Sequence, residues 1–297
     1  MMAAAALMAE GDFDPSEEVT CEGYDKELKV RCAHGEAHGK VDLAKALTVS
    51  CNLYFAHLAT RLGPEAIRRA AEAFGFNRAS AVDLAAGSGF PFPAAESAVN
   101  LEPKNIPSMT ALARVGYGQG PVSATPLQMA RVASVIATGG KLIDPYLVRS
   151  ISLGHDQPGR EREVVWRRKL SPPGRHRAIP SLVAEQIDRQ LRTVLESPHG
   201  TGHALPALWS SGGSLRLAHD RPGDGWERVP VSGKTGSAWK TTHDKTDDSW
   251  MVLWGPSGKA RIVVCVLVEE AGTGATVAGP IAMELLRAAL SAGGGQS

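Results

Sequence analysis

No stretch of the 297-residue chain approaches the ~18 consecutive apolar residues of a membrane span. The opening MMAAAALM is apolar, but it is short and has no basic residue ahead of it, so it matches neither a span nor a signal peptide. Charge of one sign is lacking too. The formal net charge is +1, which leaves no electrostatic footprint for nucleic acid. Arg160, Arg162, Arg167, Arg168, Lys169, Arg175 and Arg177 cluster, but Glu161 and Glu163 interrupt them, as on a solvated loop or edge. There is no internal repeat and no C-x-x-C pair, which sets aside repeat arrays and finger-type zinc modules.

What is present is enough apolar sequence, 43%, for a sizeable core in one large domain or two small ones. The N-terminal half reads as helical. VDLAKAL (41–47), LYFAHLATRLG (53–63) and GPEAIRRAAEAFG (63–75) have helical spacing, and the last two end at Gly. Residues 76–124 read as loops around a short helix. TPLQMARVASVIATGG (125–140) is a helix with Pro126 in its first turn and a Gly pair as its stop. Residues 144–178 read as strands and turns, and PSLVAEQIDRQLRTVLE (180–196) as an amphipathic helix. RVPVSGKTGSAW, SWMVLWG and ARIVVCVLVEE then read as three strands at hairpin spacing, closed by the helix GPIAMELLRAALSAG (279–293). This order predicts an α+β fold, an antiparallel sheet flanked by helices, with a helical subdomain, rather than alternating βαβ units.

Cysteines are few: 21, 32, 51 and 265. Cys265 lies in the apolar run RIVVCVLV and reads as a buried structural thiol. The other three crowd toward the N-terminus. Cys21, Cys32 and His38 precede Cys51 by 30, 19 and 13 residues, and together the four form a closed donor set suited to structural zinc. A Cys21–Cys32 disulfide or unpaired thiols fit the same spacing. His34 competes with His38.

Cys51 sits inside the triplet Ser50-Cys51-Asn52. Read alone, Ser50 and Asn52 would cap the helix that follows. Far downstream lies VSGKTGSAW (231–239). On an edge strand, Lys234 would offer a cation, Thr235 a hydroxyl, Gly236 room for a substrate backbone, and the Ser237 N–H a donor for a developing oxyanion. Gly116, Gly118 and Gly120 are glycine-rich like a phosphate loop, but no strand precedes them and no acidic residue is suitably placed.

Taken together, SCN and KTG resemble the penicillin-binding transpeptidases, whose signature is S-x-x-K, S-x-N and K-T-G. VDLAKALTVSCNLYFAHLATRLG, GYGQGPVSATPLQMARVASVIATGG and VSGKTGSAW with DDSWMVLWGP are similar to class B members of the elongation type over nearly the whole chain. The resemblance implies one transpeptidase domain over residues 1–297 that catalyses acyl transfer from a D-alanyl-D-alanine stem peptide during peptidoglycan cross-linking. Ser50 would relay a proton and Asn52 would hold the catalytic Lys and the bound peptide. Lys234 and Thr235 would bind the terminal carboxylate of substrate or β-lactam, and Ser237 would supply half of the oxyanion hole. No catalytic cofactor is implied. The implied location is the periplasmic face of the inner membrane, with a cell-wall glycosyltransferase as partner.

The resemblance also implies a metal site at Cys21, Cys32, His38 and Cys51, with cysteines standing where relatives carry carboxylates, a donor swap that zinc accepts. One element of the signature is missing. No S-x-x-K precedes Ser50, and the chain's literal S-x-x-K, Ser237 to Lys240, lies on a strand where residues three apart face opposite ways. MMAAAALMAEG looks like the S-x-x-K helix without its first turn. The expectation is therefore a truncated domain, without anchor or dimerisation region, that forms no acyl-enzyme. A non-catalytic binder of stem peptide, or a β-lactam sensor or β-lactamase of the same fold, are the alternatives.

Overall fold

The computed structural model describes residues 13–77, 81–83, 91–93, 97–100, 108–153, 163–168, 177–203, 205, 209–210, 214–218, 226–239 and 246–292. The opening apolar run, Arg160, Arg162, Lys169, Arg175 and Lys240 lie outside these residues.

Six helices are found among the described residues: α1 (Leu43–Val49), α2 (Asn52–Ala73), α3 (Met109–Gly116), α4 (Pro126–Ala137), α5 (Ser181–Glu196) and α6 (Ala278–Ala292). Their starts follow local chemistry. Asp42 accepts from the Lys45 N–H, Ser108 from Ala111 and Thr125 from Gln128, each satisfying an orphan donor of a first turn. Pro126 takes the first position of α4, where no N–H is needed. The two helices predicted on either side of Gly63 run end to end as α2, with a break where Gly63 adopts φ 76° and ψ 167°. Pro64 explains the break, because a residue before proline is driven out of the helical region. Gly116 has a steric role: a Cβ there would lie 2.1 Å from the Phe55 carbonyl oxygen, so α3 packs backbone-close on α2. That close packing accounts for one of the three glycines of the GYGQG stretch.

The strands are mostly short antiparallel pairs. β1 (Val19–Cys21) pairs with β4 (Gly39–Val41), and β2 (Tyr24–Asp25) with β3 (Val30–Arg31). β5 (Ala81–Asp83) pairs with β6 (Pro91–Pro93), β7 (Ala98–Val99) with β8 (Val122–Ser123), and β9 (Ser150–Leu153) with β10 (Glu163–Arg167). Two three-stranded sheets follow. One contains β11 (Trp209–Ser210), β12 (Ser214–Ala218) and β13 (Trp226–Pro230), and the other β14 (Ser232–Ala238), β15 (Asp248–Gly255) and β16 (Ile262–Val268).

The last sheet carries the expected α+β architecture. β15 is buried along nearly all its length, so both of its faces are covered. Trp254 turns to α5, where its indole N–H donates to Asp188 at 2.6 Å. Its neighbour Gly255 turns the other way, toward Leu286 and Leu290 of α6. The sheet is thus a layer between α5 and α6, with β14 at its edge. Asp188 is buried and its carboxylate also accepts from Ser257 Oγ at 2.9 Å and the Gly258 N–H at 2.8 Å, pinning the loop after β15 to α5. Cys265 on β16 departs from expectation: it is only partly buried, because β16 is partly exposed throughout. Burial still pushes its thiol up to about 12.

Candidate active site and metal centre

The SCN triplet forms the whole connection between α1 and α2. Ser50 ends α1 in the left-handed region, φ 57° and ψ 49°, with its N–H bonded to the Ala46 carbonyl. Cys51 follows in extended conformation as the residue before α2 and gives no side-chain cap, and Asn52 is the first helical residue. Capping therefore does not account for Ser50 and Asn52. A non-glycine residue at positive φ is costly, and here it turns the Ser50 hydroxyl toward the sheet.

There it meets Lys234. The Lys234 ammonium donates to Ser50 Oγ at 2.8 Å and to the Thr235 carbonyl at 3.0 Å. Burial pushes the Lys234 pKa down to about 8. Thr235 Oγ1 lies 2.6 Å from Thr201 Oγ1. The Gln119 side chain donates to the Ser237 carbonyl at 3.2 Å. Since N–H and C=O of one strand residue point the same way, the Ser237 N–H also faces the open edge of β14. The close backbone approach at Gly236 is made by the chain itself: a Cβ on Gly274 would sit 2.6 Å from the Gly236 oxygen. Asn52 turns away from Lys234 and donates to the Arg31 carbonyl at 2.9 Å.

On the other side of the triplet, Cys21, Cys32, His38 and Cys51 converge, with one donor atom each and all four within 4.8 Å of one another. Cys21 Sγ is 3.6 Å from Cys32 Sγ and 3.4 Å from His38 Nδ1, and Cys32 Sγ is 3.8 Å from Cys51 Sγ. The three cysteines are free thiols, and no disulfide joins them. A tetrahedral zinc with Zn–S about 2.3 Å and Zn–N about 2.0 Å has ligand-to-ligand edges of about 3.5–3.8 Å, and these three contacts are close to that length. The Cys32 thiol is drawn down to about 5, first by the hydrogen bond from Cys51 and then, against desolvation, by contacts including Cys21 and His38; Cys51 is pushed up by the same hydrogen bond and by burial. A thiolate is the form that binds metal. Around the cluster, His38 Nε2 lies 4.0 Å from the Glu36 carboxylate, beyond hydrogen-bond distance, while Lys45 Nζ donates to the carbonyls of His38 and Lys40, each at 2.8 Å. His34 is exposed and outside the cluster.

Ser50, Lys234, Thr235 and Ser237 are thus joined or adjacent, and the cysteine–histidine set is a separate cluster behind them. Thr201 and Gln119 went unnoticed in the sequence. Their only signals were the glycines on either side of each, in HGTGH and YGQG.

Comparisons with known proteins identify the family. The peptidoglycan D,D-transpeptidase PbpA of Mycobacterium tuberculosis is 32% identical over 183 residues, which is 57% of this chain and 35% of that protein. MrdA of Haemophilus influenzae, also a peptidoglycan D,D-transpeptidase, is 25% identical over 288 residues, 95% of this chain and 42% of that one. The chain therefore spans less than half the length of these two relatives. Among solved structures, the D,D-transpeptidase domain of a peptidoglycan glycosyltransferase from Eggerthella lenta superposes with a TM-score of 0.76 at 25% identity, covering 99% of this chain and 64% of that one. The ceftriaxone acyl-enzyme of penicillin-binding protein A from M. tuberculosis gives 0.74 at 25% identity, covering 97% and 59%. Residues 1–287 match the sequence model of the penicillin binding protein transpeptidase domain, and the chain belongs to that family, among its class B members.

Proposed function

We propose that the chain is a peptidoglycan D,D-transpeptidase domain, working at the periplasmic face of the inner membrane beside a cell-wall glycosyltransferase. The observation that carries this reading is the hydrogen bond from Lys234 to Ser50, which couples the S-x-N turn to the K-T-G strand. Lys234 and Thr235 bind the terminal carboxylate of a D-alanyl-D-alanine stem peptide, or of a β-lactam. The Ser237 N–H receives the oxyanion. Ser50 passes a proton between the leaving or attacking amine and the catalytic Lys of an S-x-x-K, while Lys234 donates to its hydroxyl and holds it in place. Asn52, whose amide donates to the Arg31 carbonyl, holds the turn that carries Ser50.

The acyl-accepting Ser and its Lys are not among the 297 residues as an S-x-x-K that opens a helix. This chain alone is accordingly expected to bind without being acylated, and a purely stem-peptide-binding role is the second reading. Cys21, Cys32, His38 and Cys51 would hold a structural zinc. That ion would cross-link the N-terminal turns to the start of α2 and has no part in acyl transfer.

Fluorescent penicillin labelling tests the reading. No covalent label is expected on this chain, and label is expected once an S-x-x-K helical turn is supplied ahead of Met1. Labelling of the unmodified chain at Ser50 or Ser237 would overturn the assignment of roles. Failure of the extended chain to label, while folded, would leave only the binding role.

A further inference from the structure

We propose that Thr201 is a positioning residue for the carboxylate-binding hydroxyl of Thr235, and that it sets the preference of the site for peptides ending in a free carboxylate. This rests on the reading of Lys234 and Thr235 given above. The two hydroxyl oxygens lie 2.6 Å apart. Only one proton fits between them, so the other points out of the pair. With a carboxylate beside Thr235, one order satisfies every group: Thr201 donates to Thr235, and Thr235 donates to the anion. A hydroxyl that already accepts a hydrogen bond is the better donor, so the relay strengthens the contact that matters. Among the described residues, Thr201 is the hydrogen-bond partner that fixes the rotation of the Thr235 hydroxyl.

Thr201 is held as a positioning group should be. Its N–H donates to the Thr48 carbonyl at 3.2 Å, two residues before Ser50, so it bridges the S-x-N turn and the K-T-G strand. The turn around it is packed tightly on the end of α5. A Cβ at Gly200 would fall 2.3 Å from the Val194 oxygen, and one at Gly202 2.5 Å from Leu195 Cδ2. The Gly202 N–H donates to that same Val194 oxygen at 3.0 Å. Side chains on either neighbour would push Thr201 away from Thr235. The Gly-Thr-Gly run is thus a rigid mount for one hydroxyl.

The test compares a diacetyl-lysyl-D-alanyl-D-alanine peptide with its C-terminal amide, by NMR titration of the full chain, of Thr201→Val and of Thr201→Ser. The unmodified chain should prefer the acid. Thr201→Val should lower the acid-over-amide ratio by about two- to tenfold, the worth of one neutral hydrogen bond, with amide binding unchanged. Thr201→Ser should keep the ratio. A ratio retained in Thr201→Val, or lost equally in Thr201→Ser, would overturn the role of Thr201 while leaving the carboxylate reading intact. Equal binding of acid and amide by the unmodified chain would remove that reading, and this inference with it.

Discussion

Lys234 and Ser50 are 184 positions apart in the chain and 2.8 Å apart in space. The contact closes the edge strand β14 against the turn between α1 and α2, and it does so with a lysine whose pKa burial has lowered to about 8.

This makes carboxylate binding sensitive to pH. Lys234 titrates near 8 rather than at its ordinary 10.5. Below about 8 the ammonium is present and affinity for a D-alanyl-D-alanine peptide should be flat. Above it, affinity should fall, with a limit of about tenfold per pH unit. Titrations from pH 6 to 10 would show this bend, and Lys234→Arg should abolish it. An affinity independent of pH across that range would argue against Lys234 as the anion partner. The folding linkage has the opposite sign. The folded chain holds fewer protons than the unfolded one between about 8 and 10.5, so this lysine's cost to stability, fully present below 8, is relieved as pH rises through that window.

Metal content should govern stability. Purified protein should carry about one equivalent of zinc, and stripping it with a chelator should cost about 3 kcal/mol, or about 6–12 °C in melting temperature. Replacing Cys21, Cys32, His38 and Cys51 together by Ser or Ala should remove both the zinc and the response to chelator. Metal-free protein with unchanged melting would dismiss the site.

Asp188 should be among the costliest single positions. Its carboxylate accepts from Trp254, Ser257 and Gly258, and its backbone carbonyl from Ser232 Oγ at 3.2 Å. Asp188→Ala would leave three donors without their partner and should lose about 3–5 kcal/mol in urea denaturation. Asp188→Asn, which keeps the shape and part of the accepting capacity, should lose less. Equal stability of Asp188→Ala would mean that water replaces the carboxylate freely.

The motifs and the architecture were legible because they depend on local chemistry. Leu43–Val49, Pro126–Ala137 and Ser181–Glu196 follow apolar spacing, and the first two also follow caps and proline placement. That Ser50 and Lys234 serve one site follows from the family resemblance of their motifs, but their direct hydrogen bond was not foreseen. What escaped was contact made by the fold. Nothing in HGTGH says that Thr201 will face Thr235, because that depends on how the end of α5 sits against β14. The sequence argues against a phosphate loop at Gly116 but gives no other reason for the glycine, and the α2–α3 crossing supplies a steric one. The Asn52 amide was expected beside the catalytic groups, and its partner is the Arg31 carbonyl, one residue before a cluster cysteine. Cys265 was misjudged because an apolar run reads the same whether its strand is enclosed or half open.

The connection between α1 and α2 is a lever with very short arms. Ser50 reaches Lys234 on one side, while Cys51 and Asn52 are fastened to Cys32 and the Arg31 carbonyl on the other. No residue lies between the two grips to absorb a shift. A displacement of the sulfur cluster would therefore reach the Ser50 hydroxyl almost undamped, without anything entering the cleft. Two preparations of identical sequence, differing only in what occupies those sulfurs, would present differently shaped walls to the same peptide.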